Sequence, residues 1–133
     1  MYVVSDVLGK NVSTPLYVHM GEGGVEKDGP SAAVAFFAAL LSKETGCVWS
    51  DTAFTGELDL SGCVRPVGGV HEKVVAAERA GIKRVFVPRY NYDRLRRDAF
   101  ENIEIIPIEH VIELWKVAGE IYDRKQTNII CNQ

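Results

Sequence analysis

Two short segments carry residue types that could do chemistry together. The first is Lys27-Asp28-Gly29-Pro30-Ser31-Ala32. Ser31 falls in the first turn of a predicted helix, where backbone N–H groups lack intrahelical partners and bear a partial positive charge. Such groups could hold the oxyanion formed when a serine hydroxyl attacks a carbonyl. Upstream, Gly21, Gly23 and Gly24 would let an extended substrate backbone come close. The second segment is Pro66-Val67-Gly68-Gly69-Val70-His71-Glu72-Lys73. Lys73 sits in the first turn of another predicted helix, at the border of its apolar face. The positive end of a helix and partial burial both disfavour an ammonium ion, and a neutral lysine is a base able to take a proton from a serine. Both residues also have ordinary readings. Serine is common at helix starts and most helix lysines face water. Lys10, Lys27, Lys43, Lys83, Lys116 and Lys125 are further lysines, so position alone does not single out Lys73.

Other chemistries find less support. A Ser-His-Asp triad would draw on His19, His71 or His110, yet no serine sits in a Gly-x-Ser-x-Gly elbow. Neither Cys47 nor Cys63 has an electropositive local sequence that would activate a thiolate. The run Gly21-Glu22-Gly23-Gly24-Val25-Glu26-Lys27 lacks the Gly-Lys-Ser/Thr ending of a phosphate loop, and its acidic residues would repel phosphate. Nucleotide binding is therefore not expected. No metal is expected either, because the histidines are scattered and no cysteine pair has ligand spacing. Cys47, Cys63 and Cys131 are an odd number, which suits reduced thiols in a cytosol-like compartment better than a disulfide framework.

The elements that must position Ser31 and Lys73 can be read from periodicity and punctuation. Residues 16–20 alternate and predict a strand, followed by a glycine-rich, charged loop over 21–29. Residues 30–43, dense in alanine and leucine, predict a mostly buried helix that Pro30 can begin and Gly46 can stop. Residues 52–58 and 62–67 read as two strands joined by Asp59-Leu60-Ser61. Gly68-Gly69 opens a helix over about 70–80, with Val70, Val74, Ala77 and Gly81 on one face. A strand at 83–88, a polar helix or loop at 92–100 and a strand at 103–108 follow. A last helix turns Val111, Leu114, Trp115, Ala118 and Ile121 to one side, and residues 125–133 read as a loose tail. Strands interspersed with helices place the chain in the mixed α and β classes.

Length and charge agree with that. The 133 residues fit one domain with one core. Fifteen basic against eighteen acidic residues give a formal net charge of −3, which makes nucleic acid an unpromising partner. No apolar run approaches the roughly 18 residues of a membrane span, and no targeting segment is visible.

Taken together, the two segments resemble the peptidase domain of Lon-type ATP-dependent serine proteases. The first part of the resemblance is His19-Met20-Gly21-Glu22-Gly23 running into Lys27-Asp28-Gly29-Pro30-Ser31-Ala32. The second is Thr55-Gly56-Glu57, then Gly62-Cys63-Val64-Arg65-Pro66-Val67-Gly68-Gly69 through Glu72-Lys73. Ala76-Ala77-Glu78-Arg79-Ala80-Gly81-Ile82 and the strand ending at Pro88 continue it, and the likeness extends over residues 16–118. Residues 1–15 match weakly.

The resemblance implies an α+β fold, with small mixed sheets packed against helices, and a serine endopeptidase that cleaves unfolded polypeptides. In it Ser31 is the nucleophile and Lys73 its general base, a Ser-Lys dyad. Thr55 matches a threonine that hydrogen-bonds near the lysine, Asp28 belongs to the nucleophile loop, and His19 matches a histidine of the preceding strand. No cofactor is implied for bond cleavage; ATP would act only through an ATPase module that this sequence lacks. Relatives form hexameric rings, so self-association is expected, and the cytoplasm or an organelle matrix is the expected location. Departures are Ala33, where many relatives have glycine, and Tyr17, where many have a further histidine. The stretch before residue 16 is also shorter than the resemblance leads one to expect, so the N-terminal part of the domain is expected to be incomplete. The chain then reads as a fragment of a longer protein or a shortened relative. A rival expectation follows: an assembly or binding module that keeps the fold without turnover.

Overall fold

The computed structural model describes residues 29–131. The predicted strand at 16–20, the glycine-rich loop, His19 and Asp28 lie outside the described residues. A 3-10 turn, Gly29–Ala32, leads into α1, Ala33–Thr45. Then come β1, Thr52–Phe54; β2, Glu57–Leu58; β3, Val64–Arg65; and α2, Val70–Arg79. β4, Arg84–Pro88, passes directly into α3, Arg89–Arg94, followed by a 3-10 turn at Arg97–Ala99. β5, Glu104–Ile108, and α4, Ile112–Cys131, complete the described chain.

Alternation along β4 explains the layering. Successive strand side chains point to opposite faces of a sheet. Phe86 joins Val34, Phe37, Ala38, Leu41, Ile108, Val111 and Leu114 in one cluster, under α1 and α4. Val85 and Val87 join Val70, Val74 and Ile103 in a second cluster, under α2. β4 is thus covered on both sides, as strands of parallel sheets usually are. It lies between β1 and β5 and is parallel to both, pairing Phe54 with Phe86 and Phe86 with Ile106. β2 and β3 form a separate antiparallel hairpin, with Glu57 opposite Arg65. Helices with two small sheets make the class α+β.

Two expectations need correction. Residues 52–58 do not form one strand: β1 ends at Phe54 and β2 starts at Glu57. Between them the Thr55 N–H still donates to the Phe86 carbonyl of β4, whereas Gly56 turns its N–H toward Ser31 and its carbonyl toward Val34. Period-two alternation survives such a change of partner, so it was invisible in the sequence. Trp115 is not buried with Val111, Leu114 and Ala118; at 36% exposure it lies toward solvent. The backbone at 125–131 continues α4. From Glu120 to Cys131 no proline or glycine interrupts the helix. Among the described residues no helix is long and apolar enough to cross a membrane.

Candidate active site

Ser31 is held through its own backbone. Its carbonyl oxygen accepts from the Gly56 N–H at 3.0 Å, and the Val34 N–H donates to the Gly56 carbonyl at 3.2 Å. These two bonds press the turn that carries Ser31 against the segment between β1 and β2. Gly56 has φ +153°, and a Cβ there would lie 2.7 Å from Val34 Cγ2 and 2.9 Å from Val64 Cγ1. Glycine is therefore required for the backbones to approach this closely.

Thr55 is the buried polar residue of the described core, at 5% exposure. Its N–H donates to the Phe86 carbonyl of β4 at 3.0 Å. Its hydroxyl donates to the Ser31 carbonyl oxygen and accepts from Lys73 Nζ, each at 3.4 Å. One hydroxyl can do both, since it offers one donor and two acceptor positions. Burying the group without partners would cost free energy, and no buried side-chain nitrogen or oxygen among the described residues is left unpartnered.

Lys73 reaches Thr55 from the first turn of α2. Its N–H closes that turn on the Gly69 carbonyl at 3.1 Å. Gly69 begins the helix at φ +67°, without a side-chain cap. The lysine is part-buried, and among the described residues no carboxylate forms an ion pair with it. The structure thus brings Ser31, Thr55 and Lys73 into one hydrogen-bonded chain from three separate elements.

The other candidates have different surroundings. His71 is exposed on α2, its ring centroid 5.4 Å from that of Phe100. His110 Nδ1 accepts from the Ile112 N–H at 3.1 Å. Its Nε2 therefore carries the proton toward the Ser61 carbonyl, 2.8 Å away, tying the hairpin to the start of α4. Cys47 is buried, and burial pushes its thiol above the usual range, with Arg84 opposing the shift. No group of histidine, cysteine and carboxylate side chains among the described residues could hold a metal. Asp59 organises the hairpin turn. Its carboxylate accepts from the Ser61 hydroxyl at 2.6 Å and from the N–H groups of Ser61 and Cys63, and it pairs with Arg65. The Ser61 hydroxyl is the largest influence holding this carboxyl down at about 2. Asn91, which no motif or spacing singled out, bonds the backbone of Val67 just before α2.

Residues 8–120 match the family model described as the Lon protease (S16) C-terminal proteolytic domain. The Lon protease of Methylocella silvestris is 49% identical over 111 residues, covering 80% of this chain and 14% of that protein. That of Methanosarcina barkeri is 42% identical over 113 residues, covering 82% and 14%. That of Anaeromyxobacter dehalogenans is 44% identical over 124 residues, covering 87% and 15%. The chain therefore spans 14 to 15% of the length of these relatives.

Proposed function

Because the chain belongs to the Lon protease (S16) C-terminal proteolytic domain family, we propose that it is the peptide-cleaving part of a serine endopeptidase with Ser31 and Lys73 as a catalytic dyad. Ser31 Oγ attacks the scissile carbonyl carbon while the neutral Lys73 amine takes the hydroxyl proton. That proton passes to the leaving amine as the peptide C–N bond breaks, leaving an acyl group on Ser31. Lys73 then takes a proton from water, which attacks the acyl carbon, and returns that proton to Ser31 Oγ as the bond between Oγ and the acyl carbon breaks. Backbone N–H groups at the helix start carry the negative charge of both tetrahedral intermediates. Thr55 holds Lys73 Nζ and the Ser31 backbone on one hydroxyl, and this shared contact is the observation that carries the reading.

The preferred substrate is unfolded polypeptide, as the resemblance to Lon-type proteases implies. Unfolding is assigned to an ATPase module outside this sequence, and self-association to a hexameric ring. Both rest on the resemblance to Lon-type proteases. Bond cleavage needs no cofactor in this scheme.

The test is cleavage of casein or a fluorogenic peptide by the chain and its Ser31→Ala and Lys73→Ala variants. Each substitution should lower kcat by at least about 1,000-fold, the scale seen when one member of a nucleophile–base pair is removed. Equal residual cleavage by all three proteins would overturn the dyad and favour a non-catalytic assembly module.

A further inference from the structure

Lys73 can meet Thr55 only if α2 is placed correctly along its own axis, and the residues before α2 are poorly equipped to place it. In Pro66-Val67-Gly68-Gly69 the proline lacks an N–H and the glycines lack side chains. Gly69 caps the helix without a side-chain bond. Val70 and Val74 anchor α2 against Val85, Val87 and Ile103. Apolar contact of this kind is non-directional, so it resists lifting the helix off the sheet more than sliding it.

Near its C-terminal end α2 is held by Glu78, whose Oε2 accepts from the Asn102 N–H at 3.2 Å, and the directional hold before its first turn comes from Asn91. Its Nδ2 donates to the Val67 carbonyl at 2.8 Å, and its Oδ1 accepts from the Val67 N–H at 3.1 Å. A primary amide here serves both backbone groups of one residue, as a neighbouring strand would. Asn91 lies in α3, directly after β4, and the β4 residue Phe86 holds the Thr55 N–H. One continuous stretch of chain, 86–91, thus grips both segments that meet at the contact between Thr55 Oγ1 and Lys73 Nζ.

We infer that Asn91 is a positioning residue for Lys73: its amide sets the axial placement of α2 and so the distance of the amine from Thr55 and Ser31. The inference rests on the role proposed above for Lys73. Alanine at 91 removes both bonds. Aspartate keeps the acceptor but loses the donor and sets a carboxylate against the Val67 carbonyl, so it should be no better.

The experiment compares the full chain with its Asn91→Ala and Asn91→Asp variants, beside Ser31→Ala and Lys73→Ala. Both Asn91 variants should lose about 10- to 100-fold in kcat, the scale of a displacement of about 1 Å at a reacting group. KM should stay within about twofold, because substrate contacts are unchanged. If Ser31→Ala abolishes cleavage while Asn91→Ala retains the wild-type kcat, the dyad stands and this inference falls. A second readout does not depend on turnover. In the 1H–13C spectrum of the chain carrying 13C-methylated lysines, the Lys73 signal is identified by its loss in Lys73→Arg. It should shift in Asn91→Ala, as it does when Thr55→Val removes its partner. A Lys73 signal that moves in Thr55→Val and stays in place in Asn91→Ala overturns the positioning role, even if cleavage is absent throughout.

Discussion

At the scale of single residues, the Thr55 hydroxyl is the most consequential group in the described site. It is buried, it donates to the Ser31 carbonyl, and it accepts from Lys73. Thr55→Val preserves the shape and removes the hydroxyl. The substitution leaves the Ser31 carbonyl with one bond fewer and frees Nζ to wander. We expect a loss of about 1 to 3 kcal/mol in urea denaturation, the usual cost of unpairing a buried polar group. The Ser31 carbonyl keeps its bond from Gly56, which places the cost at the lower end of that range. Peptide cleavage should fall by about 10- to 100-fold, because the amine is no longer held. Wild-type kcat in Thr55→Val would show that Lys73 needs no such support.

At the scale of elements, the β2–β3 hairpin depends on one carboxylate. Two strands of two residues each supply few ladder bonds, and the turn is held by Asp59 accepting from Ser61 and Cys63 and pairing with Arg65. Its carboxyl is lowered from 3.8 to about 2, with the Ser61 hydroxyl as the leading cause. A lowered folded-state value means that the folded chain binds the proton less well than the unfolded one. The ionised carboxylate therefore contributes stability that is fully present above about 3.8 and is lost as pH falls toward 2. The stability difference between the wild type and Asp59→Asn should be largest at neutral pH and should shrink below pH 4. Denaturant midpoints measured from pH 7 to pH 2 would check this, and a difference constant over that range would refute it.

At the scale of the molecule, β4 organises everything else. Phe86 is 1% exposed, stacks on Phe54 at 5.2 Å, and belongs to the cluster that gathers α1, β5 and α4. One residue either side, Val85 and Val87 face α2. The Phe86 carbonyl also holds Thr55. Phe86→Ala should cost about 3 to 5 kcal/mol, since it removes a large buried ring and leaves a cavity among rigid neighbours. Thermal unfolding would measure it. The loss of cleavage should then follow the folded fraction, because the carbonyl that holds Thr55 belongs to the backbone and survives the substitution.

Much of this was legible from residue types alone. Pro30 and Gly46 bracket the first helix, Gly68-Gly69 and Gly81 bracket the second, and the apolar run at 85–88 marks the central strand. Each depends on the conformational limits of a few neighbouring residues, which local sequence expresses. Ser31, Thr55 and Lys73 were legible through motifs, as residue types with expected roles. What sequence could not express was distance. The break at Thr55–Gly56, the grip of Asn91 on Val67 and the outward turn of Trp115 all depend on which backbone or surface comes to lie opposite. Helical and strand periods describe one element against an average environment. A hydrogen bond between residues far apart in the chain is decided only when packing around β4 brings both into place, and the contact of Lys73 with Thr55 is of that kind.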